Sequence, residues 1–291
     1  MRAGFIGLGA MGKPMAINLH KAGLLGSIWN RTAAVAAGLA GELGCVQAND
    51  PGALAAVSDL VVICVSGDDD VLEMVDAIGP CLDAGAIVID CSTVSAKTAR
   101  EAARRLASFD VGFLDCPVSG GTEGARAGTL SIMAGGDADD LTRARPVLEA
   151  MGRTIVHMGP VGAGQATKAT NQIMVAGINQ AVSEALAFAQ AHDLPMDRLL
   201  TALSGGAAGN WFLSHRGPTM VRGEYPLGFK VDLHQKDLQI CADMAAEYGV
   251  RLPIIEMTRH HYTRLLAAEH GDEDISSLFR IKSELFRDGE T

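Results

Sequence analysis

The chain has 291 residues, 48% of them hydrophobic, and a formal net charge of −10. That length exceeds what one core usually serves, so two domains are expected. The acidic balance argues against nucleic acid as a partner, because phosphate backbones are bound by clustered Lys and Arg.

The six cysteines (Cys45, Cys64, Cys81, Cys91, Cys116, Cys241) are scattered and form no C-x-x-C pair. They read as small buried hydrophobes in a reducing compartment. The eight histidines include no H-E-x-x-H pattern, and no metal is expected. Met1 runs almost directly into a strand pattern, which leaves no room for a signal peptide, and the apolar runs fall far short of the roughly 20 residues of a spanning helix. A cytoplasmic protein without membrane contact is expected.

Ala3-Gly4-Phe5-Ile6 reads as a strand that ends in Gly7-Leu8-Gly9-Ala10-Met11-Gly12, followed by a helix over 13–22 closed by Gly23. Between a strand and a helix, G-x-G-x-x-G is the dinucleotide fingerprint. The first glycine allows the tight turn, the second lets backbone amides approach a pyrophosphate, and the third packs helix on strand. The helix N-terminus then faces the phosphates.

The next strand, Ser27-Ile28-Trp29, ends at Asn30-Arg31-Thr32. An NAD site usually has Asp or Glu here for the ribose 2′-hydroxyl. A neutral Asn followed by Arg suits a 2′-phosphate better. NADP is the expected cofactor, with NAD possible.

Residues 60–65 and 86–90 are continuous apolar runs, as in strands covered on both faces of a parallel sheet. Ligands of such sheets lie beyond the carboxyl ends of the strands, so Val65, Ser66 and Thr93 should border the nicotinamide end. Asp68-Asp69-Asp70 reads as a helix cap and first turn rather than a metal site.

A strand at 113–115 leads into Cys116-Pro117-Val118-Ser119-Gly120-Gly121. The loop exposes backbone amides and a hydroxyl, which suits a carboxylate ligand; a flexible turn is the lesser alternative on composition. Strands at 130–134 and 154–157, with a helix between them, complete the sheet. The expected unit is an α/β Rossmann-type N-terminal domain over 1–160.

Residues 159–164 read as a loop. A helix then runs to about Ala191, with no proline before Pro195, far longer than the average of about 11–12 residues. Lys168, Asn171, Gln172, Val175 and Asn179 share one of its faces. Alone, Lys168 reads more readily as a snorkelling core lysine than as a catalyst. Further helices are expected over 197–203, 213–221, 232–248 and 254–269, giving an all-α C-terminal domain over 161–291 built around a long inter-domain helix. Its apolar faces suggest a homodimer or homotetramer. Lys236-Asp237 is equally readable as an exposed charge pair.

Four motifs then occur in order: the fingerprint extended through Lys13-Pro14-Met15-Ala16, Asp115-Cys116-Pro117-Val118-Ser119-Gly120-Gly121, the stretch from Gly162-Ala163-Gly164-Gln165 through Lys168 to Asn171, and Lys236-Asp237-Leu238. In these, over nearly its whole length, the chain resembles the β-hydroxyacid dehydrogenase family. The resemblance implies hydride transfer between the cofactor and a small carboxylate-bearing aldehyde or hydroxyacid, at a cleft between the two domains. It implies Lys168 as the catalytic acid/base and Ser119, Gly120 and Gly121 as holders of the substrate carboxylate. Asn171 or Gln172 would orient substrate. Val65, Ser66, Asp70, Thr93 and Lys236 match positions bordering the cofactor.

Two departures stand out. Val65-Ser66 replaces the usual Leu-Pro or Met-Pro, and Gln172 stands where many members carry Asn. Asn171-Gln172 and residues 228–234 look most like the tartronate semialdehyde reductase branch. Asn210, Trp211 and Phe229 are candidates for reading the substrate side chain. An imine reductase of the same architecture usually lacks a lysine at the position of Lys168, and a scaffold without turnover would carry a degraded site.

Overall fold

The computed structural model describes residues 2–287. Strand and helix alternate through β1 (Ala3–Ile6), α1 (Gly12–Lys21), β2 (Leu25–Trp29), α2 (Ala33–Leu43), β3 (Val46–Gln47), α3 (Pro51–Ala55), β4 (Leu60–Ile63), α4 (Asp68–Ile78), β5 (Ile87–Asp90), α5 (Ala96–Ala107) and β6 (Gly112–Asp115). These strands lie in the order β3-β2-β1-β4-β5-β6, all parallel. This is the doubly wound order, in which the direction of winding reverses between β1 and β4 and ligands bind at that point.

The apolar runs alternate between two cores. Phe5, Val62, Ile89 and Leu114 enter one cluster, while Ile6, Val61, Ile63, Val88 and Phe113 enter the other. Successive side chains of a strand point to opposite faces, so a strand buried on both faces must be apolar throughout.

Past β6 the pattern changes. The chain forms β7 (Val118–Ser119), α6 (Gly121–Ala127), β8 (Leu130–Gly136), α7 (Ala138–Met151) and β9 (Gly152–Gly159). β8 runs antiparallel to β6 and β7, and β9 pairs parallel with β8. Much of the connection after β6 is taken up by β7 and the short α6, so no full helical crossover precedes β8.

By internal contacts the chain divides into two units, Met1–Lys168 and Ala169–Thr291. α8 (Ala163–Ala191) begins in the first and supplies the long helix of the second. The second unit adds α9 (Met196–Ser204), α10 (Trp211–Met220), α11 (Val231–Ala246), α12 (Pro253–Ala267) and α13 (Leu278–Arg287). Pro253 opens α12, where its missing N–H costs nothing. The helix α13, beyond the four expected, buries Leu278, Phe279 and Ile281 in the same core as Leu186, Val231, Leu238 and Tyr262. Among the described residues no helix is long and apolar enough to cross a membrane.

Asn179 belongs to this interior rather than to a polar patch with Lys168. It is fully buried, and its Nδ2 donates to Ile275 O at 2.8 Å and Tyr262 Oη at 3.1 Å. Nearby, His261 Nδ1 lies 3.1 Å from Gln180 Nε2, a donor, which a protonated ring could not accept. Burial first, then the cations Lys282, His260 and Arg264, push His261 down to about 4.

The unfolded chain takes up this proton near pH 6.5 and the folded one only near its depressed value. Stability should therefore rise with pH across that window and fall on acidification, by about 2 kcal/mol for a half-buried ring. Urea unfolding of wild type and His261→Gln at pH 4.5 and 7 checks this. The stability difference between the two proteins should shift toward wild type at the higher pH; a constant difference would remove His261 as the cause.

Candidate active site

The fingerprint turn lies beyond β1. Gly7 has φ +92°, and a Cβ there would strike the Cys64 carbonyl oxygen at the end of β4. A Cβ on Gly12 would strike the Gly7 carbonyl, so α1 packs against the turn only because Gly12 has none. Around the Cβ position of Gly9 no heavy atom lies within 4 Å. The turn is an open cradle at a helix N-terminus, and these residues fit a pyrophosphate. Leu8 is buried, Gly9 and Ala10 are exposed, and Met11 is half-buried.

Asn30 Oδ1 accepts from Leu8 N at 2.9 Å and its Nδ2 donates to Thr32 O at 3.2 Å, so this side chain braces the turn. Arg31 Nη2 pairs with Asp70 Oδ1 at 2.5 Å and Glu73 Oε2 at 3.3 Å. Two residues expected around the cofactor, Arg31 and Asp70, thus meet each other. Asp68, Asp69 and Asp70 form the first turn of α4, as expected. Val65 N donates to Ser92 Oγ at 2.9 Å, joining the turns that carry Ser66 and Thr93.

The catalytic candidates come together through a residue to which the sequence attached no role. Asp115, at the end of β6, is fully buried. Its Oδ1 accepts from Gly162 N and its Oδ2 from Gln165 N, both at 2.8 Å. Burial pushes this carboxyl above its ordinary range, against the pull of these N–H groups and that of Gly164. A carboxylate at a helix N-terminus satisfies donors that have no partner within the helix. It lets α8 start at Ala163, inside the span expected to be loop.

Gln165 fastens the same turn to β5. Its Nε2 donates to Ser92 O at 2.8 Å and its Oε1 accepts from Val94 N at 3.2 Å, on either side of Thr93. Neither role has a local sequence signal, because the partners lie 47 to 73 residues away.

With α8 seated this way, Lys168 is buried and its Nζ donates to Val118 O at 2.7 Å. Val118 precedes Ser119-Gly120-Gly121, where both glycines adopt positive φ, +129° and +62°. The expected loop is tighter than its composition suggested, since Val118 and Ser119 pair with β8 and Gly121 already opens α6.

In the second unit Asn171 Nδ2 donates to Gln172 Oε1 at 2.8 Å, and Gln172 Nε2 donates to Asp237 Oδ2 at 2.7 Å. Asp237 is buried and pairs with Lys236 Nζ at 3.1 Å, so this is not an exposed charge pair. Asn210 is a helix cap: its Oδ1 accepts from Leu213 N. Trp211 is exposed and stacks on His215. Phe229 packs beside His234, and its N–H donates to Asp274.

Residues 2–159 match the family model described as the NAD binding domain of 6-phosphogluconate dehydrogenase. Residues 162–281 match that described as NAD-binding of NADP-dependent 3-hydroxyisobutyrate dehydrogenase. The 2-hydroxy-3-oxopropionate reductase of Escherichia coli (strain K12) is 39% identical, with 87% of each chain covered. The 3-hydroxyisobutyrate dehydrogenase of Pseudomonas aeruginosa is 36% identical over 95% of this chain and 97% of its own. The solved structure of Mycobacterium tuberculosis 3-hydroxyisobutyrate dehydrogenase with L-serine matches with a TM-score of 0.88 at 32% identity, covering 97% of this chain and 99% of that one. The chain belongs to the β-hydroxyacid dehydrogenase family and is an NAD(P)-dependent oxidoreductase.

Proposed function

We propose that the enzyme interconverts a short β-hydroxyacid and its semialdehyde, with Lys168 as general acid/base. The observation that carries this is the 2.7 Å contact of Lys168 Nζ with Val118 O. It supports the reading because it puts the lysine amine beside the Ser119-Gly120-Gly121 turn, the proposed holder of the substrate carboxylate. When bound, NAD(P) supplies or accepts the hydride at the carbonyl carbon. The fingerprint turn, Asn30, Arg31, Thr32, Val65, Ser66 and Thr93 are the residues to hold it, with Asp70 at the border of its site. Lys168 gives a proton to the substrate oxygen in reduction and takes it back in oxidation.

Asn171, rather than Gln172, is the amide that orients substrate. The Asp237 carboxylate only accepts, so Gln172 must donate Nε2 to it and turn Oε1 toward Asn171. Asn171 answers with Nδ2, which leaves its Oδ1 for a substrate hydroxyl, while Gln172 stays buried.

Tartronate semialdehyde and methylmalonate semialdehyde are the first substrates to test, because the two relatives above carry names of that chemistry and Asn171-Gln172 resembles the tartronate branch. Nicotinamide absorbance should report oxidation of NADPH or NADH with one or both, ahead of succinic semialdehyde and glyoxylate. Turnover of cyclic imines with none of these aldehyde acids would overturn the reading.

A further inference from the structure

The charge that favours a 2′-phosphate at the end of β2 does not stand alone. Arg31 Nη2 is shared by Asp70 and Glu73, which lie three residues apart on one face of α4. Both acids meet the same nitrogen, so Nε and Nη1 lie outside the two ion pairs. A phosphate drawn to that edge carries a charge of about −2. It would sit a guanidinium's width from two carboxylates, well inside the screening length of about 10 Å. The uncharged 2′-hydroxyl of NADH meets no such opposition. Asn30 is neutral, and its Oδ1 and Nδ2 are engaged with the backbone of Leu8 and Thr32, so it repels neither cofactor.

We propose that Asp70 and Glu73 are specificity-determining residues that offset Arg31, so that the enzyme binds NADPH and NADH with comparable affinity and the charge of Glu73 sets the ratio. This rests on the reading of Arg31 as the ribose-side cation. Glu73 is the residue to vary, because it is 63% exposed and its loss does not threaten the fold.

The test is equilibrium binding, read from nicotinamide fluorescence, of NADPH and NADH to wild type, Glu73→Gln and Arg31→Ala. Wild-type Kd values should agree within about tenfold. Glu73→Gln should tighten NADPH by about fivefold, the scale of an exposed charge contact, and leave NADH unchanged. Arg31→Ala should weaken NADPH by about tenfold and spare NADH. If Arg31→Ala weakens NADPH selectively while Glu73→Gln leaves the ratio unchanged, the acids carry no selectivity and the proposal falls alone. If Arg31→Ala moves neither cofactor, the reading of Arg31 fails and the proposal with it.

Discussion

Lys168→Ala should lower kcat for semialdehyde reduction by about three orders of magnitude, the middle of the range for removing a general acid. Cofactor binding, measured by nicotinamide fluorescence, should persist. Lys168→Arg sharpens the test. Arginine keeps the positive charge but cannot exchange a proton at neutral pH, so it should be nearly as inactive as the alanine variant. If arginine restored activity, the lysine would be an electrostatic anchor only. Near-normal turnover by Lys168→Ala would remove it from the chemistry altogether.

Asp115→Ala should destabilise the protein by about 3–5 kcal/mol, read as a loss of midpoint in urea unfolding. The substitution strips the acceptor from Gly162 N and Gln165 N, buried donors at the start of α8 that have no helical partner. Each such orphan costs about 1–3 kcal/mol, and a cavity adds to it. Asp115→Asn keeps the volume and one acceptor oxygen, so its loss should be smaller, about 2 kcal/mol. Equal losses for the two variants would assign the effect to packing or charge rather than to the cap. Folded Asp115→Asn protein should also show reduced kcat, because the turn that seats Lys168 hangs on this carboxylate. Full activity in that variant would break the link between cap and catalysis.

Much of this molecule is readable along the chain because its signals are local. The fingerprint needs glycine where φ is positive at Gly7 and where α1 crosses the turn at Gly12. The strands of the doubly wound sheet are apolar throughout because both their faces are buried. The absence of proline marked the run of α8 to Ala191. Each is a property of a few adjacent residues or of one period, which is why fold class and family are legible in the amino-acid sequence.

What sequence alone left open depended on partners far apart. Asn179 shares a helix face with Lys168, yet it is tied to Tyr262 and Ile275 in the interior, 83 and 96 residues away. Asn210 has the composition of a substrate contact and the geometry of a helix cap. Arg31 read as an unopposed cation until α4 brought Asp70 and Glu73 to it. The amino-acid sequence by itself determined the dinucleotide fold, the family and the identity of the catalytic candidate. Only the tertiary structure decided what orients them: Asp115 beneath α8, Asp237 behind Gln172, and the acids beside Arg31. Hydrogen bonds and ion pairs act over a few ångströms, and folding alone brings such distant residues within that reach.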